Sequence, residues 1–144
     1  MKIRGYDFPD ELWYLPEWDT WARLDADGCV TVGITSIGVH LSGEMYMCRP
    51  KSVGSELEQA RSVAVVELAK SVVSVKSPVH GVVVQVNPLL EDKPDMPFRD
   101  PYGEGWLVRV KPSKWDDDCK VLQRGDDIRS DVEQRMYLYK LEER

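Results

Sequence analysis

The sequence predicts a mainly β domain, a compact sandwich of many short strands, with an amphipathic helix packed on it near the C-terminal end. Two patterns carry that prediction. Runs of Val, Ile, Thr and aromatic residues are broken by Gly, Pro, Asp and Asn at roughly 8–12-residue intervals, the rhythm of small β-sandwiches. From Asp126 onward the period changes, and Ile128, Val132, Met136 and Tyr139 follow at spacings of four, four and three, which puts them on one face of a helix. A length of 144 residues, 42% apolar and 31% charged, suits one soluble domain with an ordinary core.

Residues 1–17 mix Asp, Pro, Trp and Tyr without periodicity and are expected to form an extension laid on the main domain, residues 18–125, with the helix over 126–144. The first hairpin joins Trp21-Ala22-Arg23-Leu24 to Cys29-Val30-Thr31-Val32-Gly33-Ile34 through Asp25-Ala26-Asp27-Gly28. Residues 36–41 form a short helix that ends near Gly43, where glycine suits a left-handed cap. Strand character resumes over 44–48, and Pro50 closes it. After a turn at 52–54 and a polar stretch over 55–61 comes a second hairpin. Val82-Val83-Val84-Gln85-Val86 is another strand, Asn87-Pro88 starts a short helix through Glu91, and residues 105–110 give the last strand.

The second hairpin is the informative one. Residues 62–68 and 71–75 pair around Ala69-Lys70, so that Leu68 faces Ser71, Val66 faces Val73 and Ala64 faces Val75. That face is mostly apolar and belongs to the core, whereas Val63, Val65, Glu67, Val72, Ser74 and Lys76 make a mixed outer face. Neither Ala69 nor Lys70 favours positive φ, which selects a type I turn. Lys70 then points into water from a stiff support, as an enzyme would need in order to attach a cofactor to one lysine among many. Alone, such a lysine is far more often a solubilising turn residue.

The surrounding motifs change that balance. Val66-Glu67-Leu68-Ala69-Lys70-Ser71-Val72-Val73, followed by Pro78-Val79-His80-Gly81, resembles the modified-lysine segment of the glycine-cleavage H proteins, a family of lipoyl carriers. Gly28-Cys29-Val30-Thr31-Val32-Gly33-Ile34-Thr35, Val86-Asn87, Leu90-Glu91-Asp92-Lys93-Pro94 and Asp100-Pro101-Tyr102-Gly103-Glu104-Gly105-Trp106-Leu107 are similar to that family's other motifs, in the same order. The likeness runs from about Trp18 to Pro112. It implies a hybrid barrel-sandwich (hammerhead) fold and lipoate joined to Lys70 through an amide, with Glu67 helping a lipoate-protein ligase or lipoyl transferase recognise the site. Biotin carriers share the fold, but Ala69-Lys70-Ser71 is not their Met-Lys-Met. The cofactor supplies the sulfur chemistry, and the protein supplies position.

Three segments depart from the glycine-cleavage pattern: Leu68-Ala69 before the lysine, Ser71-Val72-Val73 after it, and residues 47–54. With the aromatic, Pro-containing start over 6–21, they bring the chain nearer to the H-protein-like lipoate-binding proteins of bacterial sulfur oxidation. That likeness implies a heterodisulfide-reductase-like complex as partner and a sulfur-bound cargo. The alternatives are the H protein of glycine cleavage, carrying an aminomethyl group among the P, T and L proteins, and a non-lipoylated interaction module.

Other features exclude more than they assign. A net charge of −6, with acidic runs at 91–92, 116–118 and 126–127, argues against a nucleic-acid partner. There is no apolar run of membrane-span length, and no signal-like segment at the start. Cys29, Cys48 and Cys119 are odd in number and widely spaced, which predicts a reduced, cytoplasmic protein, although a sulfur carrier could pair Cys29 or Cys48 with its dithiol; a monomer is expected. His40 and His80 lack the sequence company of a metal site. Trp106 and the 100–105 loop are expected to pack and cap the sandwich. With no nucleophile–base or phosphate-binding pattern, the chain is expected to be a carrier rather than an enzyme.

Overall fold

The structure is a computed structural model and describes residues 1–141. The last three residues of the predicted C-terminal helix segment lie outside them. The strands are β1 (Lys2–Ile3), β2 (Tyr6–Asp7), β3 (Trp13–Leu15), β4 (Thr20–Leu24), β5 (Val30–Ile34), β6 (Met47–Pro50), β7 (Glu56–Leu57), β8 (Ser62–Glu67), β9 (Val72–Lys76), β10 (Gly81–Val86) and β11 (Val108–Pro112). The helices are α1 (Ser36–Ser42), α2 (Leu89–Asp92), α3 (Met96–Arg99), α4 (Trp115–Cys119) and α5 (Arg129–Leu138). A six-stranded sheet runs in the order β3-β4-β5-β11-β10-β7, a three-stranded sheet in the order β6-β8-β9, and β1 and β2 form a small ribbon. Mainly β, with short helices and a C-terminal helix, it is the barrel-sandwich architecture the sequence predicts.

Alternation along β4 and β5 gives the large sheet two apolar faces. Ala22, Val30, Val32 and Ile34 point into a core shared with Cys48, Ala64, Val66 and Val75 of the small sheet. Tyr14 and Trp21 point the other way, into a second core with Ile3, Tyr6, Phe8, Ile37 and the helix residues Ile128, Val132 and Met136. The N-terminal segment is therefore more than a surface wrap: β3 is the edge strand of the large sheet, with Trp13 opposite Ala22 and Leu15 opposite Thr20. Its aperiodic sequence hid this, because a three-residue strand is too short to show alternation.

Trp21 organises the second core. Its ring is fully buried opposite Gly33, whose missing side chain leaves the space the indole occupies. The indole N–H donates to the carbonyls of Ile34 and Pro101, each at 3.1 Å, which pins the 100–105 loop to the sheet. In that loop the Tyr102 hydroxyl donates to the Asp7 carbonyl at 2.6 Å and accepts from the Ser36 amide at 2.9 Å. Asn87, itself buried, donates to the carbonyls of Glu104 and Trp106, both at 2.7 Å, and accepts from the Leu89 amide that starts α2. The Asp-Pro-Tyr-Gly run is thus a brace, as the sequence predicts.

Helix α1 starts on the Thr35 side chain, which accepts from the Gly38 amide, and ends at Gly43 with φ 71. Two strands are displaced from their predicted places. The strand expected over 44–48 begins at Met47, because the Met45 amide is held by the Asp95 carboxylate at 3.0 Å and its side chain is buried. The strand expected over 105–110 occupies Val108–Pro112, since Gly105 is packed against the backbone of α3. Ile128, in the 3-10 turn that leads into α5, and Val132 and Met136 of α5 are buried as predicted, but the helix stops at Leu138, and Tyr139 is 52% exposed with the Arg135 guanidinium 4.7 Å above its ring.

One polar network staples the first hairpin to β11. Asp25 accepts from Thr31 at 2.6 Å and from Arg23 at 2.8 Å, and Arg109 reaches both Asp25 at 3.3 Å and Asp27 at 2.7 Å. Burial alone would raise the Asp25 carboxyl, but the hydrogen bonds from Thr31 and Arg23 outweigh it and leave its pKa lowered. A lowered folded-state pKa gives stability that is present above the unfolded value, about 3.9, and lost as pH falls through the folded one. Thermal unfolding followed from pH 6 downward is expected to show a steep loss of Tm below about pH 4, and Asp25→Asn should flatten that loss. Gly33→Ala, which drives a methyl group into the Trp21 ring, is expected to cost about 1–3 kcal/mol in urea unfolding.

Candidate functional site

The hairpin of β8 and β9 forms in the predicted register. Val66 lies opposite Val73, Ala64 opposite Val75 and Glu67 opposite Val72, and the Leu68 amide closes the turn on the Ser71 carbonyl at 2.8 Å. Lys70 and Ala69 are both exposed and neither has positive φ, in keeping with the predicted turn. Lys70 forms no hydrogen bond or ion pair with another described residue. Its amine is therefore accessible, and an amide formed there would bury no charge and break no contact.

Burial falls steeply from root to tip. Val63, Ala64 and Val66 are at most 2% exposed and Val75 is 8% exposed, whereas Val72 and Val73 are 65% and 42% exposed. Two departures from simple alternation follow. Val63, predicted on the outer face, is buried because a bulge between Ser62 and Ala64 shifts the register and turns it inward. Val73, predicted in the core, lies beyond the core's edge. At the root, the Lys76 ammonium sits 5.7 Å from the exposed Trp18 ring.

Glu67 is exposed at the last position of β8, with no side-chain partner among the described residues. Its carbonyl accepts from the Tyr46 amide at 2.9 Å, and its strand neighbour on β6 is Met47. That pairing brings Tyr46, 60% exposed, to the tip beside Glu67. Sequence reasoning missed Tyr46, since nothing local shows that β6 pairs with β8. Lys70, Glu67 and Tyr46 together form a tip with one free cation, one free anion and one exposed ring.

The thiols lie apart from one another. Cys48 is buried on β6, and burial pushes its thiol up to about 12. Cys119, in α4, is raised by burial and then by the nearby Asp116 and Asp118 carboxylates. Cys29 is half-buried at the first hairpin. His80, expected to lack a carboxylate neighbour, has one. Asp118, buried, accepts from the His80 backbone amide and faces its ring Nδ1, both at 2.7 Å. The 38-residue separation left no local signal. Among the described residues there is no cluster suited to a metal ion.

A family model described as glycine cleavage H-protein matches residues 12–135. Glycine cleavage system H protein 2 of Aquifex aeolicus is 37% identical over 126 residues, covering 88% of this chain and 78% of the relative. The glycine cleavage system H protein of a Psychrobacter species is 42% identical over 109 residues, covering 76% and 86%. Among solved structures, a glycine cleavage system H protein from Mycobacterium marinum superposes with a TM-score of 0.73 at 28% identity, covering 89% of this chain and 98% of that one. These relatives carry the glycine-cleavage name and lend no support to the sulfur-oxidation role favoured from the lysine's neighbours. By motif order, sequence identity and fold, the chain belongs to the glycine cleavage H-protein family.

Proposed function

We propose that this protein is the lipoyl carrier of a glycine cleavage system, with lipoate joined through an amide to Lys70 and an aminomethyl group as cargo. Lipoate held covalently on a lysine is the cofactor of the family, whose members are carriers and not catalysts. The observation that carries the assignment of Lys70 is its place: an unpartnered amine at the tip of a hairpin whose root is fully buried. When attached, the cofactor supplies sulfur chemistry at the end of a flexible arm. The chain's own residues hold the attachment point out from the core and raise its local concentration at partner active sites.

The partners in this reading are a lipoate-protein ligase or lipoyl transferase and the P, T and L proteins, in the cytoplasm. Glu67, free beside the lysine, would be read by the lipoylating enzyme. Cys48 has no part in it: a buried thiol held near 12 is not a nucleophile at neutral pH.

Intact mass of protein from its native host is expected to show one lipoyl addition, absent from Lys70→Arg; an unmodified wild type would refute the attachment. Glu67→Ala should slow lipoylation by a purified ligase several-fold without altering Tm. In a reconstituted glycine-cleavage assay the lipoylated protein is expected to accept the aminomethyl group, and failure there would remove the glycine-cleavage client while leaving the carrier role standing. Iodoacetamide at pH 8 should label Cys29 in the folded protein, Cys119 more slowly, and Cys48 only after denaturation.

A further inference from the structure

Where β3 runs into the turn at Pro16–Trp18, a cleft of about 360 Å³ opens. Leu15 and Glu17 form one wall, Val121 and Gln123 a second, and the face of α5 carrying Asp131 and Leu138 the third. Its chemistry is one-sided. Oε1 of Gln123 is buried and has no donor. Glu17 and Asp131 form no ion pair with a described residue. The cation on the lining, Arg135, is engaged elsewhere: its guanidinium donates to both carboxylate oxygens of Asp19 and lies over the Tyr139 ring. An incoming group therefore meets two uncompensated carboxylates. The surface around it is apolar, with Val121 55% and Leu138 63% exposed.

We propose that this cleft is a docking site for a lysine or arginine side chain of a partner protein, carried next to an apolar residue that covers Leu138. Long basic side chains lay their aliphatic stems on apolar surface while the charged head reaches acceptors, which is the pattern of this lining. The volume lies at the low end of ligand pockets, roughly 300–1,000 Å³, and suits side chains better than a cofactor. A net charge of −6 draws basic partners to the molecule, and the cleft gives one of their side chains a fixed seat. The proposal stands apart from the lipoyl-carrier reading, since no residue of the β8–β9 hairpin takes part.

The test is backbone-amide NMR of the full chain titrated with the peptide Ac-Leu-Lys-Leu-NH2 and with its norleucine counterpart, which keeps the stem and loses the charge. The lysine peptide is expected to shift the amides of Leu15, Val121, Gln123 and Gln134, and its binding should weaken as salt rises. Norleucine should bind at least about fivefold more weakly, and Glu17→Gln and Asp131→Asn should each weaken the lysine peptide about two- to fivefold, with Tm unchanged. Equal binding of the two peptides, shifts centred elsewhere, or variants that bind as the wild type does would overturn the proposal. So would concentration-dependent broadening of the same amides without peptide, which would mean that a second copy of this chain covers the face.

Discussion

The constraint on which the rest of the structure depends is that one lysine amine must stand in water on strands that are rooted in a dry core. A two-stranded hairpin alone is marginal in water. Here its inner half is held by Val63, Ala64, Val66 and Val75, and β6 pairs along the outer side of β8 from Met47 to Pro50. The bulge between Ser62 and Ala64 adds an inward side chain at the root, so that Val63 packs as well as its neighbours. Beyond Val66 the strands leave the core, with Leu68 alone half-buried against its edge. The stiffness of the tip is thus bought at the root, by side chains that never approach the lysine.

A second structural demand follows from the first. The large sheet must close over the same core, and its outer face then carries an indole that needs cover. Trp21 would be a large exposed ring without the N-terminal ribbon, α1 and α5 on that face. The apolar face of α5 contributes most of the attachment: truncating a fully buried residue such as Met136 to Ala costs roughly 2–5 kcal/mol. The Asp19–Arg135 pair adds orientation more than energy. Burial raises the Asp19 carboxyl even though Arg135 pulls it down, so the attraction within the pair falls short of the desolvation of that carboxylate.

Alternation and turn chemistry made the local elements legible. They gave the hairpin register to the residue, the turn at Ala69-Lys70, helix α1 with its Gly43 end, and the buried face of α5. What they missed is non-local or sub-periodic. Strand β3 is too short to alternate, and β6 starts late because Asp95, fifty residues on, holds Met45. The His80–Asp118 contact joins two segments that share no pattern. Val63 and Val73 fail for opposite reasons, one turned inward by a bulge and the other lying past the point where the core ends. Motif order reached further than periodicity could, since it identified the family, but the residues flanking Lys70 pointed to a sulfur-oxidation client that the relatives do not support.

That mismatch has a physical source. Lys70 and its hairpin meet the same requirement in any lipoyl carrier, so the residues nearest the lysine are free to vary as long as the turn closes and the amine stays exposed. Leu68, Ala69 and Ser71 satisfy both conditions here, with the turn bond at 2.8 Å and both central residues open to solvent. A client distinguishes carriers by surface that a generic hairpin does not fix. On this molecule such surface includes Glu67 and Tyr46, brought together by the β6–β8 pairing, and the exposed outer-face valines Val65 and Val72. Alternation groups Glu67, Val65 and Val72, but Tyr46 cannot be added from sequence alone, because β6 lies some twenty residues upstream of the strand end it joins. An attachment site is therefore sought in a local pattern of the chain and a client in its tertiary surface, which is why the sequence offers a candidate at Lys70 and no comparable guide to the client.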